Sequence, residues 1–135
     1  MSPFVMRVGG NDLSLEQTIA LTNGSALMTA VGLAVVREIS RPAFLAGVIA
    51  SGQYLEAKLN ALSRELDLGE VRGKGLLLAM ELNRPNAAEV VAAALASGLL
   101  INAPRPSILR FMPALNVTRE DIDRMIAMLR NAIRN

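Results

Sequence analysis

The spacing of apolar residues changes near Gly69, and this change limits the folds that the chain can adopt. Before that point, apolar residues recur every three or four positions, which is typical of amphipathic helices. After it, short continuous apolar runs alternate with helical segments, and such runs favour buried strands. The elements therefore follow the order helices, strand, helix, strand, strand, helix. This order predicts an α+β fold in which helices cover the apolar face of a small sheet.

Capping and breaking residues place the helices. Asn11 or Ser14 can cap a first helix, with Ser14 and Gln17 at the spacing of a capping box, and this helix is predicted to end near Asn23-Gly24. Thr118 is expected to cap the final helix, whose first turn is acidic. Helices are predicted over residues 13–21, 26–40, 43–65, 87–97 and 119–135, after an irregular arm over residues 1–10. The helix over 43–65 is predicted to bury one apolar stripe, formed by Leu45, Val48, Ile49, Tyr54, Leu55, Leu59 and Leu62.

The three predicted strands cover residues 76–82, 99–102 and 108–113. Gly69, Gly73 and Gly75 precede the first of them. A phosphate-binding loop would require such glycines to open a helix, whereas these lead into a strand. The glycines therefore predict a tight turn.

Missing residue types exclude several kinds of site. The chain has no cysteine and no histidine, so it can form neither a disulfide nor a thiolate metal site, and a Ser-His-Asp triad is excluded. A metal site would need carboxylates alone, and the sequence shows no such cluster. We therefore expect no metal site and no catalytic residue of these kinds.

Charge and hydropathy argue against two classes of partner. The net charge is +2, the 14 basic residues are spread along the chain, and aromatic residues make up 3% of it. Because a nucleic-acid surface needs a basic stripe, we expect no nucleic-acid partner. The most apolar run, residues 26–36, is far shorter than the roughly 20 residues that span a bilayer. With no secretory signal in residues 1–10, we expect no membrane partner and a soluble, cytoplasmic protein.

Arg110 lies within the apolar run of the last predicted strand. In an extended segment its neighbours Ile108 and Met112 share its face, whereas Leu109 and Phe111 lie on the other face. A charged side chain in this setting requires a partner. That partner is a buried carboxylate such as Glu81, water at a sheet edge, or the carboxylate of a ligand. The planar guanidinium of arginine can donate two parallel hydrogen bonds to a ligand carboxylate.

Four segments together carry a family resemblance: "GSALMTAVGLAVVREI", "VRGKGLLLAMEL", "GLLINAP" and "LRFMPALNVTREDID". In order and spacing, the chain from about Gly24 to Ile133 resembles the C-terminal small domain of class III, pyridoxal-phosphate-dependent aminotransferases. It is most similar to the acetylornithine enzymes, with the succinylornithine and ornithine enzymes close behind. The resemblance implies a mainly antiparallel sheet with helices on its outer face. It also implies that Arg110, in the family's "LRFxPxLxV" motif, receives the substrate α-carboxylate.

The chain departs from this family in two ways. The family's cofactor lysine, the aspartate that partners the cofactor ring and the large domain have no counterpart in it. The phosphate-binding threonine of the family's "HG[ST]T[FY]GGNP" motif is replaced by Leu21, with Thr22 one place further on. We therefore expect two regions: a divergent arm and helix over 1–23, and an aminotransferase-like small domain over 24–135. Which residues of this chain bind a cofactor is unknown, and we expect the chain alone to bind no pyridoxal phosphate.

Two functional interpretations follow from the resemblance. In one, the chain belongs to an acetylornithine-type enzyme of arginine biosynthesis, which transfers an amino group between N-acetylornithine and 2-oxoglutarate; the chain would be inactive alone. In the other, it is an orphaned small domain that acts as an oligomerising or partner-binding module. The apolar stripe Leu27, Val31 and Val35 predicts a homo-oligomer or a missing large domain as partner.

Overall fold

The computed structural model describes residues 7–8, 11–12 and 26–134. The chain forms two compact units, Met1–Arg41 and Pro42–Asn135, and each is described by itself. The predicted helix over 13–21 and the predicted boundary after residue 23 lie outside the described residues.

In the first unit, the described residues form two short strands and one helix. Strand β1 (Arg7–Val8) pairs antiparallel with β2 (Asn11–Asp12), so residues 7–8 of the predicted irregular arm form a strand. Helix α1 (Ala26–Ile39) follows the prediction closely. The apolar side chains from Val31 to Val36 are exposed, with Val31 at 49% and Val35 at 51% of their full accessibility.

The second unit is an α+β fold, as predicted. Its elements are α2 (Pro42–Glu65), β3 (Val71–Lys74), β4 (Leu77–Glu81), α3 (Ala87–Ala96), β5 (Asn102–Arg105), β6 (Ile108–Phe111) and α4 (Arg119–Arg134). The strands form one sheet in the order β3-β4-β6-β5, and every neighbouring pair is antiparallel. The sheet has four strands where the sequence predicted three.

Both edge strands differ from the prediction. Strand β3 lies in the segment assigned to a turn, because its glycine and its alternating charged residues conceal the strand pattern. Strand β5 begins at Asn102 and includes Pro104, so it occupies what was predicted as a loop and leaves 99–101 outside the sheet. A proline is tolerated there because an edge strand does not need every backbone N–H for pairing.

The strand register separates a buried face from an open one. Leu78 pairs with Phe111 and Met80 with Leu109, and all four side chains are buried. Helices α2, α3 and α4 cover this face, as predicted. The helical residues of the core are Leu55, Leu59, Leu62, Ala87, Val90, Ala94, Ile122, Ile126, Leu129 and Ala132.

The first half of α2 departs from the predicted burial. Leu55, Leu59 and Leu62 are buried as expected, but Leu45 and Ile49 are exposed. The core contacts the second half of the helix and leaves the apolar face of its beginning uncovered.

The helix ends show which predicted caps are formed. The hydroxyl of Thr118 accepts a hydrogen bond from the Asp121 backbone N–H at 3.1 Å, and donates to the Asp121 carboxylate at 2.6 Å. This is a reciprocal N-terminal cap, as predicted for Thr118. Asn86 stands at the start of α3, but its side chain makes no capping hydrogen bond. Gly98 follows α3 with φ +86°, a conformation that suits glycine after a helix.

The β3–β4 hairpin lies directly against α2. Gly75 turns the hairpin with φ +59°, which favours glycine. A Cβ placed on Gly52 of α2 would lie 2.9 Å from the carbonyl carbon and oxygen of Gly75. The helix and the turn therefore approach each other closely because Gly52 has no side chain.

Two kinds of feature are missing from the described part of the chain. None of its helices is long and apolar enough to cross a membrane. Within residues 7–8, 11–12 and 26–134, no three acidic, histidine or cysteine side chains are grouped to hold a metal ion.

Candidate functional site

The open face of the sheet, the face that α2, α3 and α4 leave uncovered, carries Arg110. The register places four residues in one row across the strands: Asn102 of β5, Arg110 of β6, Ala79 of β4 and Arg72 of β3. Directly opposed residues of neighbouring strands point to the same side of a sheet. Small Ala79 therefore lies between two arginines, and Asn102 flanks Arg110 on the other side.

The hydrogen-bond partner that the structure describes for Arg110 is neutral. Its Nε donates a hydrogen bond to the Asn102 side-chain oxygen at 3.1 Å. Among the described residues Arg110 forms no ion pair, and the carboxylate of Glu81 lies 3.5 Å from the Arg72 guanidinium instead. Pairing of Arg110 with Glu81, one of the sequence-based alternatives, is therefore not what this structure contains.

Arg110 lines two shallow depressions on the open face. The larger, of about 470 Å³, is bordered by Arg72, Gly73, Lys74, Leu77, Leu78, Ala79 and Arg110. The smaller, of about 240 Å³, is bordered by Leu100, Ile101, Asn102, Arg110 and Met112. Exposed apolar side chains stand near the arginine, with Leu77 at 53%, Met112 at 61% and Leu100 at 84% of full accessibility. The surroundings of Arg110 thus suit a ligand that joins an anionic group to an apolar chain.

Neither lysine of the chain lines an enclosed pocket formed by the described residues. The Nζ of Lys58 lies 2.6 Å from an Asp123 carboxylate oxygen and 5.0 Å from the centre of the Tyr54 ring. Hydrogen bonding to Asp123 raises the pKa of Lys58, and the same bond lowers the pKa of Asp123. Lys74 is exposed at the end of β3. A lysine that attacks a carbonyl must lose its proton readily, and the pairing of Lys58 opposes this.

Sequence reasoning found Arg110 but missed Asn102. The asparagine stands at the end of a predicted strand, and a polar residue at that point is ordinary. Its pairing with Arg110 depends on a register shift between Asn102 and Arg105 in the β5–β6 hairpin. A local pattern in the sequence does not reveal such an irregularity.

Comparisons with known proteins agree on one family. A family model described as Aminotransferase class-III matches residues 19–133. Acetylornithine aminotransferase of Ralstonia nicotianae is 51% identical over 115 residues, which cover 83% of this chain and 29% of that protein. Acetylornithine aminotransferase 2 of Bordetella pertussis is 46% identical over 114 residues, covering 82% of this chain and 29% of that protein.

A solved structure is similar over nearly the same part of the chain. The crystal structure of N-acetylornithine aminotransferase from Stenotrophomonas maltophilia matches with a TM-score of 0.77 and 31% identity. The match covers 86% of this chain and 33% of that one. The chain belongs to the class-III aminotransferase family, and it spans less than a third of the length of these curated relatives.

Members of this family depend on pyridoxal phosphate. It requires a lysine in an enclosed pocket, and Lys58 and Lys74 do not meet this requirement. The position of Leu21, where the family has a phosphate-binding threonine, lies outside the described residues. The lysines of this chain therefore do not fit the family's cofactor, and we assign no chemical step to them.

Proposed function

We propose that the chain is the carboxylate-binding small domain of an acetylornithine-type aminotransferase, in which Arg110 receives the α-carboxylate of the substrate. The reaction of such an enzyme moves an amino group between N-acetylornithine and 2-oxoglutarate in arginine biosynthesis, with pyridoxal phosphate bound outside this chain. The observation that supports this role most directly is the guanidinium of Arg110, which lies on the open face with a neutral partner. Its charge is therefore available for an anionic ligand.

A pair of ligands tests this role. N-acetylornithine and N-acetylputrescine have the same amide and the same free amine, but only the first has an α-carboxylate. Titrated into the ¹⁵N-labelled chain, N-acetylornithine should shift the side-chain signals of Arg110, and its affinity should exceed that of N-acetylputrescine. Because a hydrogen-bonded charge pair is worth about 1.5–3 kcal/mol, the expected preference is on the order of tenfold or more.

The matched control is another arginine of the same sheet. Arg105 is exposed on β5 and makes no ion pair among the described residues. Arg110→Leu should abolish the preference for N-acetylornithine, whereas Arg105→Leu should retain it. Equal binding of the two ligands by the wild-type chain would refute the proposed role of Arg110.

The same proposal holds that the chain alone does not transaminate. Lys58 is held by Asp123 in its protonated form, and Lys74 is exposed to water. Incubation with pyridoxal phosphate followed by borohydride reduction should give no single stoichiometric adduct. A stoichiometric, activity-linked adduct at either lysine, found by peptide mapping, would contradict this expectation.

A second candidate function is that of an oligomerising module without catalysis. The exposed apolar residues of α1, including Val31 and Val35, support it, because apolar surface of this kind marks interfaces. The partner is then a second copy or a separate large domain. Sedimentation at micromolar concentration should show an oligomer that Val31→Glu with Val35→Glu dissociates, while Glu56→Gln leaves it intact. A monomer at all concentrations would exclude self-association.

The proposed reaction consumes intermediates of amino-acid biosynthesis, and we therefore place the chain in the cytoplasm. A tagged chain expressed in bacteria should be recovered in the cytoplasmic fraction. Recovery with the membranes or the periplasm would contradict this location.

A further inference from the structure

Asn102 is hydrogen-bonded to the side chain of Arg110 on the open face, and neither the family comparison nor the sequence assigns it a role. Its side-chain oxygen accepts the hydrogen bond from Arg110 Nε at 3.1 Å. The two residues also stand directly opposite each other in the β5–β6 pairing. The contact is thus fixed by two strands and does not depend on a flexible loop.

The nitrogen through which Arg110 is bonded to Asn102 determines how the guanidinium can bind a ligand. A guanidinium carries five N–H groups, one on Nε and four on its two Nη atoms. When Asn102 accepts the Nε–H, both Nη atoms remain available, and together they can donate two parallel bonds to one carboxylate. A carboxylate cannot bind side-on, through Nε and one Nη, because the side-chain amide of Asn102 occupies the Nε–H.

The neutrality of Asn102 matters as much as its position. A carboxylate at residue 102 would also accept the Nε–H, but it would neutralise the guanidinium and compete with an anionic ligand. The nearest acidic residue of the central strands, Glu81, contacts Arg72 instead. An amide therefore orients Arg110 and leaves its charge uncompensated.

The two depressions beside Arg110 show why its guanidinium needs to be held in one orientation. Arg110 is the residue shared by the two depressions of the open face. A long side chain between two spaces can occupy either, and holding it in one place reduces the entropy lost when a ligand binds. Asn102 belongs to the depression bordered by Leu100 and Met112, so its hydrogen bond draws the guanidinium towards that side.

We propose that Asn102 is a positioning residue that fixes the Arg110 guanidinium through Nε and presents both Nη groups to a ligand carboxylate. This inference rests on the proposed function of Arg110. Removal of the amide should weaken carboxylate binding about three- to tenfold, as expected for a single hydrogen bond.

The test uses the full ¹⁵N-labelled chain and two variants of residue 102. Asn102→Ala removes the acceptor, whereas Asn102→Asp keeps an acceptor and adds a negative charge. The Arg110 Nε–H signal, assigned by its loss in Arg110→Leu, should be slowly exchanging in the wild type and in Asn102→Asp, and fast exchanging in Asn102→Ala. N-acetylornithine should bind both variants more weakly than the wild type, and Asn102→Asp most weakly.

The control is Asn60→Ala, which removes an asparagine that donates to the Glu56 carbonyl on α2, away from the sheet. It should leave the Arg110 signal and the affinity unchanged. If the wild type prefers N-acetylornithine but Asn102→Ala binds it equally well, the positioning role is wrong and the role of Arg110 stands. If the wild-type Nε–H exchanges as fast as that of exposed Arg84, the positioning role is wrong whatever the ligand does. Failure of the wild type to distinguish the two ligands overturns both proposals.

Discussion

Arg110 lies in an apolar strand and is hydrogen-bonded to an uncharged partner. The partner's lack of charge determines how much stability the chain should lose when Arg110 is replaced. Breaking a buried ion pair costs roughly 3–5 kcal/mol, because one charge is left without a partner. Among the residues that the structure describes, replacing Arg110 leaves the exposed amide of Asn102 without its partner, and water can satisfy that amide. A residue that must remain available to a ligand is expected to behave in this way.

We therefore predict that Arg110→Leu lowers the free energy of unfolding by no more than about 1 kcal/mol. Urea denaturation measures the change. The neighbouring Leu109 is fully buried and serves as the positive control, since Leu109→Ala should cost about 2–5 kcal/mol. A loss of several kcal/mol for Arg110→Leu would show that the arginine has a structural partner and is not held for a ligand.

Among the elements, α2 and the β3–β4 hairpin depend on a glycine contact. Alanine is a better helix former than glycine by up to about 1 kcal/mol, so a glycine within a helix needs another reason. At Gly52 that reason is the Gly75 backbone, which a Cβ would approach to 2.9 Å. At Gly47, on the same helix, a Cβ would meet nothing within 4 Å.

The two glycines predict opposite effects of one substitution. Gly47→Ala should stabilise the chain by about 0.5–1 kcal/mol through helix propensity. Gly52→Ala should destabilise it, because the clash is with backbone atoms that cannot rotate away. Thermal unfolding of both variants measures the difference. A stabilising Gly52→Ala would mean that the hairpin does not lie against the helix as described.

Helix caps give a second pair of matched variants. Thr118 bonds the Asp121 backbone at the start of α4, whereas Asn86 makes no side-chain bond at the start of α3. Thr118→Ala should therefore cost about 1 kcal/mol. Asn86→Ala should change stability by a few tenths of a kcal/mol, within the range of ordinary surface substitutions. Equal losses in urea denaturation would contradict the distinction between the two caps.

The elements also show which features a sequence can predict. The helices α1 to α4 and the central strands are predictable because apolar periodicity and capping residues act over a few neighbouring positions. The edge strands are not, since β3 has few apolar residues and β5 contains a proline. Arg110 was found as a charge in an apolar strand, but its contact with Asn102 depends on a cross-strand register with an irregularity, which no local pattern specifies.

At the scale of the whole second unit, ionic contacts join α2 to α4 at two places. Near the start of α4, Asp123 contacts Lys58 at 2.6 Å and accepts a hydrogen bond from the Tyr54 hydroxyl. Near its end, Glu65 accepts hydrogen bonds from Arg130 and Arg134 at 3.0 and 2.9 Å. Hydrogen bonds to Lys58 and to Arg130 lower the pKa of Asp123 and of Glu65, respectively.

These shifts predict how stability depends on pH. Carboxyl groups with a lowered folded-state pKa stabilise the fold above the ordinary pKa of about 4, and this contribution is lost as pH falls through the folded-state values. The pKa of Lys58 is raised by its bond to Asp123. Its contribution is complete below the ordinary lysine pKa of about 10.4 and is lost as pH rises through the folded-state value. The free energy of unfolding should therefore be nearly constant at pH values between the ordinary carboxyl pKa and the ordinary lysine pKa. It should fall at lower and at higher pH.

Asp123→Asn tests the acid and the alkaline ends of the pH dependence together, because Asp123 is the shared partner of Lys58 and Tyr54. At intermediate pH, the urea midpoints of this variant should be lower than those of the wild type. Measured from pH 2 to pH 11, they should also fall less steeply towards both ends of the range. The acid side should decline less steeply but not become flat, since Glu65 and Asp121 retain their lowered pKa values. Glu56→Gln, which removes an exposed carboxylate elsewhere on α2, should reproduce the wild-type profile. If Asp123→Asn follows the wild type on the alkaline side, the Lys58–Asp123 contact does not contribute to holding α2 against α4.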